Sequence, residues 1–225
     1  MSTLPTRLLR AAAFAVFALL CVAVAGWAFA YLYLDIQPGN VFQARFAQSG
    51  LDVPLHFFAA GLALALSPLQ LAAAVRRRMP ALHRTGGWLY AAGVLVAGLA
   101  GLSLATRAHG GIASGSGFAL LSVVWIAATA TGIGHAVAGD TAAHRRWMCR
   151  SVAMTFAAVT LRLGLGLGVG VLDLPFTPVY IATAWGSWTL NLALCELWLR
   201  RGEWLSRTRR RPAAGTRSAW SRPGA

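Results

Sequence analysis

Six long apolar runs constrain this chain more than any other feature of its sequence. A helix that crosses a hydrocarbon core of about 30 Å needs about 20 mostly apolar residues, since each residue rises about 1.5 Å. The composition agrees, because 57% hydrophobic and 12% charged residues lie outside the range of ordinary soluble domains. The sequence therefore predicts an all-α, polytopic transmembrane helical bundle. Its predicted spans cover roughly residues 11–34, 53–75, 86–106, 116–138, 151–172 and 178–200.

The arginines are distributed unevenly between the connections of these spans. If the N-terminus is cytoplasmic, alternate connections place only Arg45 and Arg107 on the outer side. The cytoplasmic side then receives Arg7, Arg10, Arg76, Arg77, Arg78, Arg84, Arg145, Arg146, Arg150 and the eight arginines from Arg200 to Arg222. Basic residues are retained on the cytoplasmic side, so the pattern predicts an even number of spans, about six, with both termini cytoplasmic.

The chain divides into one bundle and one short tail. Residues 1–204 form the predicted single transmembrane bundle, and residues 205–225 form a basic tail rich in arginine, proline, glycine and serine. The tail has no apolar periodicity, which predicts disorder or contact with headgroups on the cytoplasmic face. The formal charge of +14 therefore indicates topology and binding to anionic lipid headgroups of the bilayer, and not nucleic acid.

Polar landmarks recur in a distinctive order from Leu55 to about Gly168. They are Leu55-His56, Pro68-Leu69-Gln70, Arg76-Arg77-Arg78, Leu82-His83-Arg84 with Gly87 and Tyr90, His144-Arg145-Arg146-Trp147-Met148 with Arg150-Ser151, and Thr160-Leu161-Arg162-Leu163. This order resembles the predicted membrane proteins known as domain of unknown function 2306, over about half of the chain. The resemblance implies a multi-pass protein of a bacterial cytoplasmic membrane, and it supplies no activity.

The histidines suggest a cofactor. Transmembrane b-type cytochromes hold haem between facing helices through pairs of histidines, because neutral imidazole is a good axial ligand of iron. His83 and His144 both lie at the cytoplasmic interface and form the first candidate ligand pair. His56 and His109, near the outer face, form a weaker second pair. Contacts with the propionates of a haem at the first pair are expected from Arg84, Arg145 and Arg146.

The haem hypothesis has a simpler competitor at each histidine. Interface histidines and tryptophans such as Trp88 and Trp147 also anchor helices at the headgroups. The sequence has no HExxH motif and no cysteine cluster that would favour zinc or copper, so haem iron is the only metal it suggests. The leading hypothesis is a b-type haem protein that handles electrons within the membrane.

Arg162 supports a second hypothesis. It lies near the middle of the predicted fifth span, where a charge is costly, and no acidic residue is predicted at its depth. Backbone carbonyls, Asn191, water or an anionic ligand must then satisfy it. Helical spacing places His144, Ser151, Thr155 and Arg162 on one face, which predicts a groove leading inward from the cytoplasm. Candidate ligand-binding residues are Arg162, Gln70, Tyr90, Thr155, His135 and Asn191.

Three functions remain open on the sequence. They are membrane electron transfer on haem, a carrier or sensor for a small anionic or amphipathic ligand, and a non-catalytic membrane scaffold. The sequence contains no GxSxG, P-loop or strand-associated GxGxxG motif, so it offers no support for hydrolase or nucleotide-driven chemistry. It identifies no catalytic residue, and it leaves the substrate, the redox partner and the oligomeric state open.

Overall fold

The computed structural model describes residues 4–33 and 49–210, with side chains described up to Arg201. These residues are helical and form no strand. The helices are α1 (Leu4–Tyr31), α2 (Asp52–Leu71), α3 (Ala73–Arg78), α4 (Pro80–Ala105), α5 (Ile112–Val137), α6 (Thr141–Thr155), α7 (Ala157–Leu165), a π-helical turn (Gly166–Val171) and α8 (Phe176–Arg210). The predicted all-α bundle is confirmed.

Five helical segments are long and apolar enough to cross a membrane. They are Leu4–Tyr31, Asp52–Leu71, Pro80–Ala105, Ile112–Val137 and Thr141–Val171. The predicted sixth segment, 178–200, lies inside α8, so its helical form is confirmed and its crossing of the membrane stays a prediction. The fifth segment begins at Thr141, well before the predicted start at residue 151. The helix α8 continues to Arg210, and residues 211–225 of the predicted tail lie outside the described part of the chain.

The early start of α6 has a local cause. Gly139 takes the left-handed backbone conformation, with φ of 80°, directly after the end of α5. The next residue, Asp140, caps α6, because its side chain accepts a hydrogen bond of 2.9 Å from the backbone N–H of Ala143. That bond holds the pKa of the Asp140 carboxyl below its ordinary value. Gly139 and Asp140 together turn the chain within three residues. Arg145, Arg146 and Arg150 therefore lie within α6 and not in the connection before it.

Four helices surround the centre of the bundle. In a closed ring, α2 packs on α4, α4 on α5, α5 on α6 and α6 on α2, so α4 and α6 face each other across the centre. The first helix packs outside α2, and α8 packs outside α5, α6 and α7. Short connections alternate the helix directions. Consequently α4 and α6 run parallel, and both start at the same end of the bundle.

The two ends of the bundle differ in charge. Residues near the start of α1, the end of α2, the start of α4 and the start of α6 line one common cavity, among them Phe14, Arg76, Arg84 and Arg145. We call this end the arginine-rich end. The opposite, arginine-poor end contains Asp52, whose carboxylate lies 3.5 Å from the guanidinium of Arg107. The single-sided arginine pattern of the sequence thus corresponds to one end of the fold.

Small residues bring the helices together, as expected where lipid replaces water. The interior includes Ala63 and Ala97, both fully buried, whereas Leu95 and Leu99 of the same α4 helix are about half exposed on the outside. A Cβ atom on Gly93 would lie 3.0 Å from the backbone oxygen of Ala59. The backbones of α2 and α4 therefore approach too closely to admit a side chain there.

We predict that Gly93→Leu lowers the thermal unfolding midpoint of the detergent-solubilised protein. The added side chain must force α2 and α4 apart, and overpacking of this kind typically costs about 1–3 kcal/mol. Gly134→Leu in α5 is the matched control, because a Cβ there meets no atom within 4 Å. Equal midpoints for the two variants would show that the α2–α4 contact is not tight.

Candidate functional site

Five polar side chains form a buried layer across the centre of the bundle. The Tyr90 hydroxyl of α4 lies 2.7 Å from the hydroxyls of both Ser151 and Thr155 on α6. From α5, the indole N–H of Trp125 donates to Thr155 at 3.0 Å, and the Thr129 hydroxyl lies 2.6 Å from that of Ser151. Tyr90 and Ser151 are fully buried. We call these five residues the hydroxyl layer.

The hydrogens of this layer can be assigned without conflict. Thr129 donates to the backbone oxygen of Trp125 at 2.8 Å, so it accepts the Ser151 hydroxyl hydrogen. Ser151 then accepts from Tyr90, and Thr155, which accepts from Trp125, donates to the Tyr90 hydroxyl at 2.7 Å. Every donor has an acceptor, which is the condition for placing hydroxyls in a low-dielectric interior at no large cost.

Two cavities that share no lining residue lie in the described part of the bundle. The cavity at the arginine-rich end measures about 830 Å³ and contains His83 and His144 in its lining. The cavity at the arginine-poor end measures about 300 Å³ and contains Arg162 in its lining. We call them the histidine cavity and the Arg162 cavity. The predicted continuous groove from His144 to Arg162 is therefore wrong: His144 lines one cavity, Thr155 and Arg162 line the other, and the fully buried Ser151 lines neither.

His83 and His144 lie at the same level on facing helices. His83 precedes Tyr90 by seven residues along α4, and His144 precedes Ser151 by seven residues along α6. Seven residues are about two helical turns, or about 10.5 Å, and return to nearly the same helix face. Since Tyr90 contacts Ser151 and the helices are parallel, both histidines face the histidine cavity two turns toward the arginine-rich end. They are close enough to interact electrostatically.

The tautomer of His144 follows from its hydrogen bond. Its Nδ1 atom lies 2.8 Å from the backbone oxygen of Gly132 on α5. A carbonyl only accepts, so in the neutral ring Nδ1 carries the hydrogen and Nε2 keeps its lone pair. This is the arrangement of a histidine that ligates a metal through Nε2, with its other nitrogen fixed by a backbone carbonyl.

His83 is contacted by the Gln70 side chain. One orientation of the Gln70 amide donates to Nδ1 of His83 at 3.0 Å and to its backbone oxygen at 3.1 Å, and accepts from the Gly87 N–H at 3.1 Å. The backbone oxygen of His83 and the N–H of Gly87 already bond to each other within α4, four residues apart. The third contact, with Nδ1, relates the orientation of the Gln70 amide to the tautomer of His83. The amide oxygen faces Nδ1 when the ring carries its hydrogen there, and the amide nitrogen faces Nδ1 when that atom has a lone pair.

Arginines border the histidine cavity. Arg84 and Arg145, both predicted from the sequence, are among its lining residues, and Arg76 from α3 joins them. Arg146 is not part of the lining, so the structure does not bring it to this site. Apolar side chains of α1, α4 and α8 complete the walls, including Phe17, Trp88 and Trp198.

Arg162 lies in α7 without a carboxylate. Its Nη1 donates to the backbone oxygen of Ala158 at 2.8 Å, and its guanidinium carbon lies 4.6 Å from the centre of the Trp27 ring of α1. In residues 4–33 and 49–201, no acidic side chain forms an ion pair with it. Asn191, the amide considered from the sequence, instead bonds to Thr160 at 3.0 Å and to the backbone oxygen of Ala153 at 3.1 Å.

His56 and His109 both line the Arg162 cavity, as their pairing on the sequence predicted. The Nδ1 atom of His56 lies 2.8 Å from the backbone oxygen of Ala97, so its Nε2 keeps a lone pair. The Nε2 atom of His109 lies 2.8 Å from the Thr177 hydroxyl. The His109 ring also packs edge-on against Phe176, with centroids 5.2 Å apart. This cavity is much the smaller of the two, and haem binding by this pair stays a prediction.

The other predicted ligand-binding residues are divided between these sites. Gln70 and Asn191 line the histidine cavity, and Thr155 lines the Arg162 cavity. Tyr90 lies between the two cavities in the hydroxyl layer. His135 lines neither of them, and its Nδ1 lies 3.8 Å from the Asp140 carboxylate near the surface.

Sequence reasoning missed Ser187. This serine of α8 is 2% exposed and lines the Arg162 cavity. Its hydroxyl has no hydrogen-bond partner within the described part of the chain. No sequence motif distinguishes Ser187 from the other serines in the spans, so only the packing of α8 reveals it.

Residues 53–199 match the family described as predicted membrane protein, domain of unknown function 2306. The chain belongs to this family. No curated protein and no solved structure matches it. The DUF2306 match includes the four-helix ring and both histidines of the histidine cavity, whereas α1 lies outside it. The resemblance inferred from the polar landmarks is confirmed.

We predict that Tyr90→Phe destabilises the protein by about 1–3 kcal/mol, because it leaves Ser151 and Thr155 buried with an incomplete set of partners. Thr131→Val is the control, since the exposed Thr131 hydroxyl bonds only to the backbone oxygen of Ala127 in its own helix. Chemical or thermal unfolding in detergent measures both. A Tyr90→Phe variant as stable as Thr131→Val would contradict the role of the hydroxyl layer.

Proposed function

We propose that this protein holds one b-type haem in the histidine cavity, with His83 and His144 as the two axial ligands. One observation supports the proposal above all: the two histidines lie at one level on the facing helices α4 and α6 and line one cavity. Its volume of about 830 Å³ falls within the usual range for cofactor sites, about 300–1,000 Å³. Iron held by two neutral imidazoles is suited to one-electron transfer, which is the class of activity we propose.

The walls of the cavity suit the two parts of a haem. Phe17, Trp88 and Trp198 offer apolar and aromatic surface for the porphyrin ring. The two propionates carry negative charge, and Arg76, Arg84 and Arg145 line the same cavity. Charge-assisted bonds between guanidinium and carboxylate are among the strongest hydrogen bonds in proteins. The haem would thus lie with its propionates toward the arginine-rich end.

Gln70 is the positioning residue in this proposal. Iron binding through Nε2 of His83 requires the hydrogen on Nδ1, and the Gln70 oxygen must then face that hydrogen. In its satisfied orientation the amide donates to Nδ1 at 3.0 Å, so iron binding requires a half-turn of its terminal group that gives up the bonds to the His83 backbone oxygen and the Gly87 N–H. His144 needs no such change, because Gly132 already fixes its tautomer.

The same proposal gives the protein a place in the cell. We infer a bacterial cytoplasmic membrane with the arginine-rich end in the cytoplasm, since basic residues are retained there. Arg76, Arg77 and Arg78 end α3 at that side and would meet anionic lipid headgroups. The haem would then lie close to the cytoplasmic face, within reach of a cytoplasmic redox partner.

We predict a Soret band in protein purified from haem-replete cells, and its loss in His83→Ala and His144→Ala. His135→Ala is the matched control, because His135 lies near the same end but outside the cavity, and its spectrum should equal that of the wild type. Colourless wild-type protein, or a Soret band that survives both cavity substitutions, would contradict the proposal.

A second prediction isolates Gln70. Gln70→Glu should keep the haem and lower its midpoint potential, because a carboxylate accepts from Nδ1 and increases the electron density on the ligand. Gln70→Leu removes the acceptor and should weaken haem retention about tenfold, as losses of such supporting partners typically do. Redox titration and haem-transfer assays measure these effects. If both substitutions leave the midpoint potential and the haem retention unchanged, Gln70 does not position His83.

A further inference from the structure

Arg162 in the Arg162 cavity has hydrogen-bonding capacity that residues 4–33 and 49–201 leave unused. Its guanidinium carries five N–H donors, and within those residues it donates one hydrogen bond, to the backbone oxygen of Ala158.

Ser187 of α8 lies at the depth of Arg162 but does not share its space. Thr160 is bonded to Asn191 and the Cβ position of Gly164 lies 2.7 Å from Thr183, so this face of α7 meets α8. At about 100° per residue, Arg162 lies about 200° around α7 from Thr160 and points away from α8, toward Trp27 of α1. The Ser187 hydroxyl is also closed off from the cavity.

His56 adds an acceptor on the opposite wall. The backbone oxygen of Ala97 fixes the hydrogen on Nδ1, so Nε2 of the neutral ring presents a lone pair. His56 and Arg162 line the same cavity. The remaining lining is mainly apolar and includes Phe118, Leu121 and Leu161.

We propose that the Arg162 cavity is a second binding site, which takes a single-chain carboxylate with an apolar body. The carboxylate accepts hydrogen bonds from Arg162, and the apolar body lies against the hydrophobic wall. Charge decides the class, since an unpaired guanidinium in a low-dielectric interior is stabilised most by an anion. Volume decides the size, because about 300 Å³ is at the lower limit of ligand pockets and admits one short chain, not the two tails of a phospholipid. The site does not depend on haem, because the two cavities share no lining residue.

Octanoate is a suitable probe. The full chain is placed in nanodiscs of zwitterionic lipid, and binding of radiolabelled octanoate is measured with unlabelled octanoate and octylammonium as competitors. We expect saturable binding that octanoate displaces and octylammonium does not. Arg162→Gln should weaken it at least about tenfold, the size of a lost charge-assisted bond. Arg77→Gln removes one exposed arginine outside both cavities and should leave binding unchanged.

Arg162→Lys keeps the test decisive if Arg162→Gln fails to fold. A lysine retains the positive charge but not the planar pair of donors, so it should weaken octanoate binding several-fold. Ser187→Ala is the control, because the Ser187 hydroxyl is closed off from the cavity, and it should leave octanoate binding unchanged. Absent or non-saturable octanoate binding, or binding equal in wild type, Arg162→Gln and Arg162→Lys, would overturn the proposal.

A further arm separates a free acid from the bilayer's own lipid. Nanodiscs that contain phosphatidylglycerol should bind octanoate as tightly as the zwitterionic ones. Loss of octanoate binding in them would show that a two-tailed anionic lipid occupies the cavity, which contradicts the single-chain assignment. The Soret band of Arg162→Gln and Ser187→Ala should match the wild type, so this site and the haem site succeed or fail separately.

Discussion

The exclusion of water from the hydrocarbon core is the constraint on which this structure depends, because every buried hydroxyl must find its partner inside the protein. Tyr90, Ser151, Thr155, Thr129 and Trp125 meet that requirement by bonding to one another across α4, α5 and α6. Their closed set of bonds fills the centre of the bundle. Trp125 and Thr155 of the layer also line the Arg162 cavity, whereas none of the five residues lines the histidine cavity, so the two cavities are separate sites.

Backbone carbonyls of neighbouring helices determine what the histidines offer to those sites. Gly132 on α5 holds His144, and Ala97 on α4 holds His56, in each case through Nδ1. Close packing makes these contacts, since a Cβ on Gly101 would lie 3.3 Å from the His56 ring. The small residues that let the helices approach thus also fix the imidazole tautomers, so packing and chemistry cannot be altered independently.

The sequence predicted the helical bundle, the family and the grouping of His83 with His144, because each follows from helix length, residue order and the side on which a turn falls. It did not predict the break between the two cavities. Helical spacing correctly placed His144, Ser151, Thr155 and Arg162 on one face, but spacing along one helix cannot show that Tyr90 of another helix closes that face. The contact of Arg162 with Trp27 was missed for the same reason, since Trp27 belongs to a helix far away in the sequence.

The central claim is that the facing, level histidines of α4 and α6 share one iron atom. Electron paramagnetic resonance of the oxidised, purified protein tests it most directly, because the spin state reports the number of strong axial ligands. Two imidazole ligands predict a low-spin ferric signal, with conversion to a high-spin signal when either histidine alone is replaced. A high-spin signal in the wild type, or no haem iron at all, would contradict the account.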